Sequence, residues 1–554
     1  MTALYLYDEK PINIEKNALA LREGLGIQTL SSLDSRCYYL SNLAEAKDMS
    51  QNIVTQLQHL DGKALCQKYA LPAIALERMM YHDLLVQIIP CLDLYKRICD
   101  YLDRHSMTVI HYLGGGWKTD VLAAICTHRG IQLIHRSSWR SRLRDFAASV
   151  KHWGVHIQWQ WRAADKVDDS ADFIFFMPAD RFARGLPAVI EALEKTHRVQ
   201  MLTEQTAKHL GKRNIASLFS FTTRQRFSVN GVLDGLQIKS RWKAESDDVL
   251  AWVLKRLVVQ TLQEQLYTAS CVARVLERCP KAVVVASFVG ESLLEVARAM
   301  NKKTVVIQTC GTVEYKVHLA GDSVYMLASE QDKHHIVDTY PIPSVKICGH
   351  VGYDIKAPMM DAEKALLREQ LSVSKQDKLL VFIGSYASPG LIEWESIAER
   401  SKYFLQAAST LEHVRIVLKL HPYEHHLAAY HDMVKKLDME QYVMVTQHMD
   451  IGNLVQVSDA VVMLESTVGQ ESIVWGKPLL DIPVLEDWFG YHRSGAALVA
   501  YHIEDIREKL NRILYDETTQ KALCAGRKRY VNTYFPKQDG QVVARICHHL
   551  RCLQ

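Results

Sequence analysis

Nothing in the sequence stays apolar long enough to cross a bilayer; no stretch approaches the roughly 18 apolar residues that a spanning helix needs. No Cys-x-x-Cys pair occurs among the 12 cysteines, which scatter from Cys37 to Cys552. Several sit inside apolar runs, such as Cys126 in VLAAIC and Cys348 in VKIC. Buried free thiols in a reducing compartment explain that pattern better than a disulfide framework or a zinc site. A surplus of one charge is missing too, since 66 basic residues face 62 acidic ones for a formal net charge of +4. A nucleic-acid binder concentrates basic charge on one face, so this balance argues against one. It leaves room for an anionic small molecule in a locally positive cleft, and for loose attachment to an acidic membrane surface. Met1 is followed by TALYLYDEK, without the basic start and apolar stretch of a signal peptide. A cytoplasmic protein is expected, at the inner face of the inner membrane if it attaches there. Internal repeats, heptads and low-complexity segments are absent as well.

What is present is patterned for two domains. At 554 residues the chain exceeds what one hydrophobic core organises. Residues 1–105 give a short strand, ALYLYDE, and then mostly helical periodicity. From there, short β-branched runs alternate with amphipathic stretches: TVIHYL, IQLIHR, VHIQWQW, DFIFFM, AVVVASF, TVVIQTC, VYMLAS and SVKICGH. A second set follows Asp354: LLVFIGS, VRIVLKL, YVMVTQ, AVVML and PLLDIPV. Such alternation is the signal of βαβ units around buried parallel sheets. The fold class read from it is α/β, with two doubly wound Rossmann-like domains facing a cleft and a mainly helical N-terminal segment. The domains are expected at 1–357 (1–105 a largely helical addition) and 358–535, with 536–554 a terminal helix packing back on the first.

Open α/β sheets bind ligands beyond the carboxyl ends of their strands, where the strand order reverses. Three segments of the second half fall after strands. In VLKLHPYEH a strand runs into Lys419-Leu420-His421-Pro422, and the proline stops it and holds the preceding residue extended. A histidine there can donate to a phosphate oxygen; equally, it can cap a loop. In AVVMLESTVGQE the strand runs into Glu465-Ser466-Thr467-Val468-Gly469, with a helix from about Gly469 to Trp475. Ser466 and Thr467 are placed as N-caps, so free N–H groups form a phosphate site, with Glu471 on the first turn. A capping box is the bland alternative, but the four-residue spacings Thr467–Glu471 and Ser466–Gln470 miss the three that it requires. The loop FIGSYASPG brings Gly384 and Ser385, which allow close backbone approach.

The order K-x-H-P, then S-T-x-G-x-E, then G-K-P resembles GT-B glycosyltransferases of bacterial surface-polysaccharide synthesis. Capsule transferases that use CMP-Kdo and bacterial sialyltransferases, with their His-Pro and Ser-Ser/Thr motifs, are the nearest in layout. UDP-N-acetylglucosamine 2-epimerases and the polyol-phosphate polymerases of teichoic acid synthesis share parts of it. The run ESLLEVARAMNKKTVVIQTCGTVEY, with SVYMLASE and VKICGHVGYD, extends the resemblance to about residues 280–490. Two departures stand out. Gln308-Thr309-Cys310-Gly311 occupies the place of the usual Q-H-G, and the acidic pair plus glycine of sialyltransferases is approximated only by Leu233-Asp234-Gly235.

The resemblance implies an acceptor-side first domain and a nucleotide-sugar-binding second domain. It makes His421 and the Ser466–Thr467 pair phosphate contacts, Glu471 a ribose contact and Lys419 a neighbour of the base, with Pro422 and Gly469 completing the motifs. The donor implied is a CMP-linked acidic sugar, Kdo or a nonulosonic acid, bound as substrate with no further cofactor, and the acceptor a glycan or lipid-linked glycan. A UDP-sugar transferase, a UDP-sugar 2-epimerase, a polyol-phosphate transferase and a non-catalytic scaffold of the same shape are the alternatives.

Transfer with inversion needs a base for the acceptor hydroxyl. Glu291, where AVVVASF meets a helix, is one candidate, against the bland reading of a first-turn glutamate satisfying the dipole. Asp234 is another, against a plain turn residue. A third is Asp120, after the loop Gly114-Gly115-Gly116-Trp117-Lys118, which lacks P-loop spacing and is expected to shape the acceptor side. Leaving-group charge falls to His421 and the helix N-terminus, with no metal required. Trp139, Trp153, Trp159 and Trp161 suit sugar stacking or strand packing alike. The pairs His334-His335 and His425-His426 lack a completing carboxylate and read as surface or loop residues. The basic C-terminal segments GRKRYVNTYF and ARICHHLR read as terminal helix, with a membrane-surface role as the other option.

Overall fold

The computed structural model describes residues 3–7, 18–20, 39–59, 71, 74, 76–113, 117–136, 167–176, 185–203, 215–217, 247–287, 291–309, 323–339, 344–354, 358–386, 394–422, 424–464, 466–483 and 490–554. Among the described residues the strands form three sheets, of four, seven and six members.

The first sheet is built from β1 (Ala3–Tyr7), β2 (Ala18–Ala20), β3 (Val109–Leu113) and β4 (Gln132–Arg136), all parallel in the order β2-β1-β3-β4. Helices α1 (Tyr39–His59), α2 (Leu76–Arg104) and α3 (Trp117–Arg129) accompany it. TVIHYL and IQLIHR are therefore strands, as their β-branched pattern predicts, but they join a sheet of their own with ALYLYDE.

The second sheet holds β5 (Phe173–Phe176), β6 (Val199–Thr203), β7 (Ile215–Ser217), β8 (Val283–Ala286), β9 (Thr304–Ile307), β10 (Val324–Leu327) and β11 (Ser344–Ile347). Their order is β11-β10-β9-β8-β5-β6-β7, again all parallel. The chain winds outward from β5 to β7, returns to place β8 beside β5, and winds the other way. That is a doubly wound sheet with its reversal between β5 and β8. Helices α4 (Leu186–Glu194), α5 (Asp247–Arg278), α6 (Glu291–Ala299), α7 (Glu330–Thr339) and the short α8 (Val351–Asp354) complete the unit. One apolar cluster runs from Leu4 and Leu6 through α2 and α5 to Ile174, Val284 and Val306, so the first two sheets share a core.

The third sheet contains β12 (Lys378–Ile383), β13 (Val414–Lys419), β14 (Val443–Thr446), β15 (Ala460–Met463), β16 (Leu479–Asp481) and β17 (Leu498–Val499), ordered β14-β13-β12-β15-β16-β17. It repeats the same winding, with the reversal between β12 and β15. Around it lie α9 (Asp361–Gln370), α10 (Trp394–Ala408), α11 (Leu427–Lys436), α12 (Ile451–Val457), α13 (Val468–Val474), α14 (Ile506–Tyr515) and α15 (Glu517–Tyr534). β12 and β15 are buried nearly throughout, which is why they read as continuous apolar runs rather than as alternation.

The chain crosses from the second sheet to the third after α8 and returns after α15. The last helix, α16 (Val542–Arg551), lays Val542, Ile546, Cys547 and Leu550 on the face of the second sheet formed by Phe173, Phe175, Val285 and Ile307. The two crossings are bonded to each other. Asp354 accepts from the N–H groups of Gly540 (2.8 Å) and Val542 (2.7 Å), satisfying the open start of α16. Gln538 accepts from the His350 N–H (2.7 Å) and donates to the His350 carbonyl (3.2 Å). Gly349, at φ 96°, makes this possible: a Cβ there would lie 2.6 Å from Val542 Cγ2 and 2.7 Å from the Lys537 carbonyl. No described helix is long and apolar enough to cross a membrane.

Candidate functional site

The register of the third sheet sets the site. Ile383 at the end of β12 pairs with Lys419 at the end of β13 and with Met463 at the end of β15. The three strands therefore finish level, and neighbouring strands lie about 4.8 Å apart. Gly384–Tyr386, Leu420–Pro422 and Ser466–Thr467 emerge side by side at the point of reversal. All three segments singled out in the sequence thus meet at one edge.

Each is held differently. Gly384 donates to the Lys419 carbonyl (3.0 Å), continuing the ladder by one residue. Ser385 is buried, and Tyr386 beyond it stacks on the His421 ring with centroids 4.4 Å apart at 27°. Tyr386 was not anticipated: a tyrosine in a loop carries no periodic signal, and only the register shows that it faces His421. The turn after His421 is fastened from β14, where the Gln447 amide donates to the carbonyls of His421 (3.2 Å) and Glu424 (2.7 Å). Pro422 is exposed in that turn.

Lys419 is 7% exposed and spends its ammonium on two backbone carbonyls, Leu420 (2.9 Å) and Gln447 (3.0 Å). Burial lowers its pKa, with the Asp450 charge acting the other way. In this conformation the side chain ties two loops together.

At β15 the helix begins one residue earlier than the sequence suggests, at Val468. Ser466 supplies the cap, its Oγ accepting from the Val468 N–H at 3.2 Å, while the Tyr491 hydroxyl donates to the Ser466 carbonyl at 3.3 Å. Thr467 was expected to cap as well but makes no capping bond. Its backbone is already helical (φ −63°, ψ −14°), whereas capping residues are extended. Gly469 has a packing reason to be glycine, since a Cβ there would come within 2.8 Å of Met463 and Tyr491. Glu471 is 1% exposed, enclosed where α13 packs on its surroundings.

His425 and His426 lie in a loop, as expected; His425 is exposed and His426 partly so, its Nδ1 2.6 Å from Glu424 Oε1, an oxygen that also accepts from the His426 N–H (2.8 Å). The His426 ring stacks on Trp394, centroids 4.1 Å apart at 15°. A glutamate two residues before a histidine looks like loop chemistry in sequence. The turn fastened by Gln447 is what buries the carboxylate.

The base candidates separate. Glu291 opens α6 immediately after β8, at the reversal point of the second sheet. Asp120 lies in the first turn of α3 and so belongs to the four-stranded sheet; its charge adds to the burial that pushes the Cys91 thiol up to about 12. Asp234, Gly114–Gly116 and the four tryptophans lie outside the described residues. In place of a Q-H-G histidine, Gln308 turns inward, accepting from the Ala328 N–H (2.8 Å) and donating to Asp332 (3.2 Å). Ser287 and Thr309, just past β8 and β9, are buried with no hydrogen-bond partner for either hydroxyl.

Among the described residues no group of three His, Cys, Asp or Glu side chains is arranged to hold a metal. The nine described cysteines are unpaired; six are buried, Cys99 is partly so, and Cys524 and Cys552 are exposed. A cavity of about 510 Å³ opens at the opposite edge of the third sheet, lined by Asp377, Glu412, His413 and Arg415, where the strands begin rather than end.

Residues 392–482 match a family model described as capsule polysaccharide biosynthesis protein. That span contains His421, Ser466 and Thr467. No curated protein matches the chain. Its fold is similar to that of several solved structures. The S. aureus MnaA–UDP co-structure shares 12% identity at a TM-score of 0.47, covering 69% of this chain and 96% of that one. UDP-GlcNAc 2-epimerase from Neisseria meningitidis bound to UDP-GlcNAc shares 14% at 0.46, covering 69% and 99%. A glycosyltransferase from Rickettsia africae ESF-5 shares 12% at 0.43, covering 70% and 99%.

Proposed function

We propose that this chain is a glycosyltransferase that carries a sugar from a nucleotide-activated donor to a surface-glycan acceptor. One observation carries the reading: three loops bearing His421, Ser466–Thr467 and Gly384–Ser385 leave level strand ends at the reversal of a doubly wound sheet. That is where such sheets take ligands. The capsule-synthesis match over residues 392–482 supports the same assignment.

In this reading His421 donates to a phosphate oxygen of the donor, with Tyr386 stacked behind the ring to fix its plane. The backbone of Ser466 and Thr467 and the Thr467 hydroxyl take the remaining phosphate oxygens, and Gly384 lets the ligand approach the end of β12. Glu291, across the cleft, accepts the proton of the acceptor hydroxyl as its oxygen bonds to the anomeric carbon. The bond from that carbon to the phosphate oxygen breaks, and the charge left on the nucleotide is stabilised by His421 and the N–H groups beside it. The donor that fits the His-Pro and Ser-Thr pair best is a CMP-linked acidic sugar, Kdo or a nonulosonic acid. The acceptor is a glycan or a lipid-linked glycan met at the membrane face.

A thermal-shift screen with CMP, CDP, UDP and GDP, repeated on His421→Ala, tests this, because a ligand of the folded state raises the midpoint by mass action. Stabilisation by CMP that disappears in the variant is the expected result. Stabilisation by UDP instead moves the donor to a UDP-sugar, and silence from all four leaves a non-catalytic scaffold.

A further inference from the structure

The donor loop is bonded to the junction between the sheets through one buried side chain. Gln470 lies in the first turn of α13, where its N–H donates to the Thr467 carbonyl at 3.1 Å. Its amide, 6% exposed, accepts from the Tyr353 hydroxyl at 3.2 Å and faces the Tyr530 hydroxyl at 3.4 Å, to which it donates. These two tyrosines come from different places. Tyr353 belongs to α8, the last element before the chain leaves the second sheet, and Tyr530 to α15, the last before it returns.

The junction itself is closely packed. The Tyr353 ring stacks on His350 with centroids 4.0 Å apart at 17°, and Phe535 meets it edge-on at 5.3 Å. Asp354, the next residue, holds the start of α16. A displacement of the second sheet thus moves Tyr353, and Tyr353 pulls directly on the residue that closes the turn after Thr467. Nothing in the packing of α13 alone demands a glutamine here; a methionine fills nearly the same volume. What glutamine adds is an acceptor for one tyrosine and a donor for the other, in a space where an unmatched polar group is costly.

We infer that Gln470 is a positioning residue that couples the donor loop to the orientation of the second sheet, through Tyr353 on one side and Tyr530 on the other. Donor phosphate settling on Ser466 and Thr467 then favours one setting of the junction, the one that brings the Glu291 edge over the donor. The inference rests on the donor reading above, and a ligand can shift the two sheets only as far as it prefers one arrangement.

Tyr353→Phe removes the hydroxyl and keeps the ring on His350; Gln470→Met keeps the volume and removes both bonds. Three quantities are measured on the full chain and both variants: nucleotide affinity by calorimetry, the radius of gyration by X-ray scattering with and without saturating nucleotide, and kcat and KM for transfer. The expected result is affinity within about twofold of wild type, loss of nucleotide-induced compaction, and kcat lowered about tenfold with KM little changed, about 1.4 kcal/mol in activation free energy. Compaction and kcat equal to wild type in both variants overturn the coupling and leave the donor reading intact. Affinity falling in step with kcat overturns it too, since Gln470 would then only hold the binding loop together. Failure of the wild-type chain to bind any nucleotide removes the donor reading and the coupling with it.

Discussion

The second and third sheets share a winding plan, yet the described residues just past their strands are bonded differently. In the third, the edge at the reversal is polar and braced: Gln447 fastens the His421 turn, Ser466 caps α13, and Tyr386 backs the imidazole. Among the described residues past the strands of the second, Gln308 turns back to Asp332, and the Ser287 and Thr309 hydroxyls are buried and unmatched. The same strand order therefore predicts where a ligand can sit but not which half holds it. That decision lies in a handful of residues at strand ends, and bracing by tertiary hydrogen bonds is its mark. A braced edge is preorganised for a charged group.

The comparison breaks most visibly at His421. His421→Ala should cut transfer by about a hundredfold, the scale of losing one preorganised donor at a developing anion. The thermal midpoint should stay within a degree or two; a collapsed fold would return His421 to a loop cap. Next comes the base. Glu291→Gln should lower turnover by about a hundredfold with nucleotide affinity kept, while Asp120→Asn, on the separate four-stranded sheet, should leave turnover unchanged. Equal activity in wild type and Glu291→Gln would take Glu291 out of the mechanism and leave Asp234 as the residue to test.

Smaller effects test packing and charge. Gly469→Ala should destabilise the fold by about 2 kcal/mol, because the new methyl overpacks against Met463 and Tyr491. Urea denaturation measures this, and an unchanged midpoint would show that α13 shifts to make room. The slightest effect concerns Lys419. Its folded pKa lies below the ordinary lysine value because of burial, so the unfolded chain binds more protons in the window between them. Stability should thus rise with pH from the lowered folded value up to about 10.4 and level off above it. Lys419→Met should lack that rise; an identical alkaline profile in the two proteins would locate the effect in another lysine.

Local pattern carried the strands well. LLVFI, VRIVLK and AVVM lie where their β-branched runs place them, because a strand buried on both faces must be largely apolar, and VMVT follows as a half-exposed edge strand. Sheet membership was not legible. TVIHYL has the same composition as its neighbours in sequence, and only tertiary pairing with Ala3–Tyr7 puts it in the first, four-stranded sheet. In the site, His421, Ser466 and Gly384 were readable because proline, glycine and capping residues punctuate the ends of strands. Tyr386, Gln447 and Gln470 were not, since each acts on a partner more than twenty residues away and leaves no local spacing. The Glu424–His426 contact is local, but the burial of the Glu424 carboxylate is not read from its spacing.

The covering of the second sheet by α16 has a consequence for synthesis. Arg545 donates to the Cys348 carbonyl across 197 positions of sequence, and the face that Val542 and Ile546 cover is complete long before they exist. A ribosome moving at about 5–20 residues per second needs on the order of ten seconds or more to make that stretch. Throughout it, the nascent second sheet presents an apolar surface around Val189, Cys348 and Val351 to whatever is near. A chaperone that dwells on this face, and lets go once the last helix arrives, would find its occupancy set by translation speed.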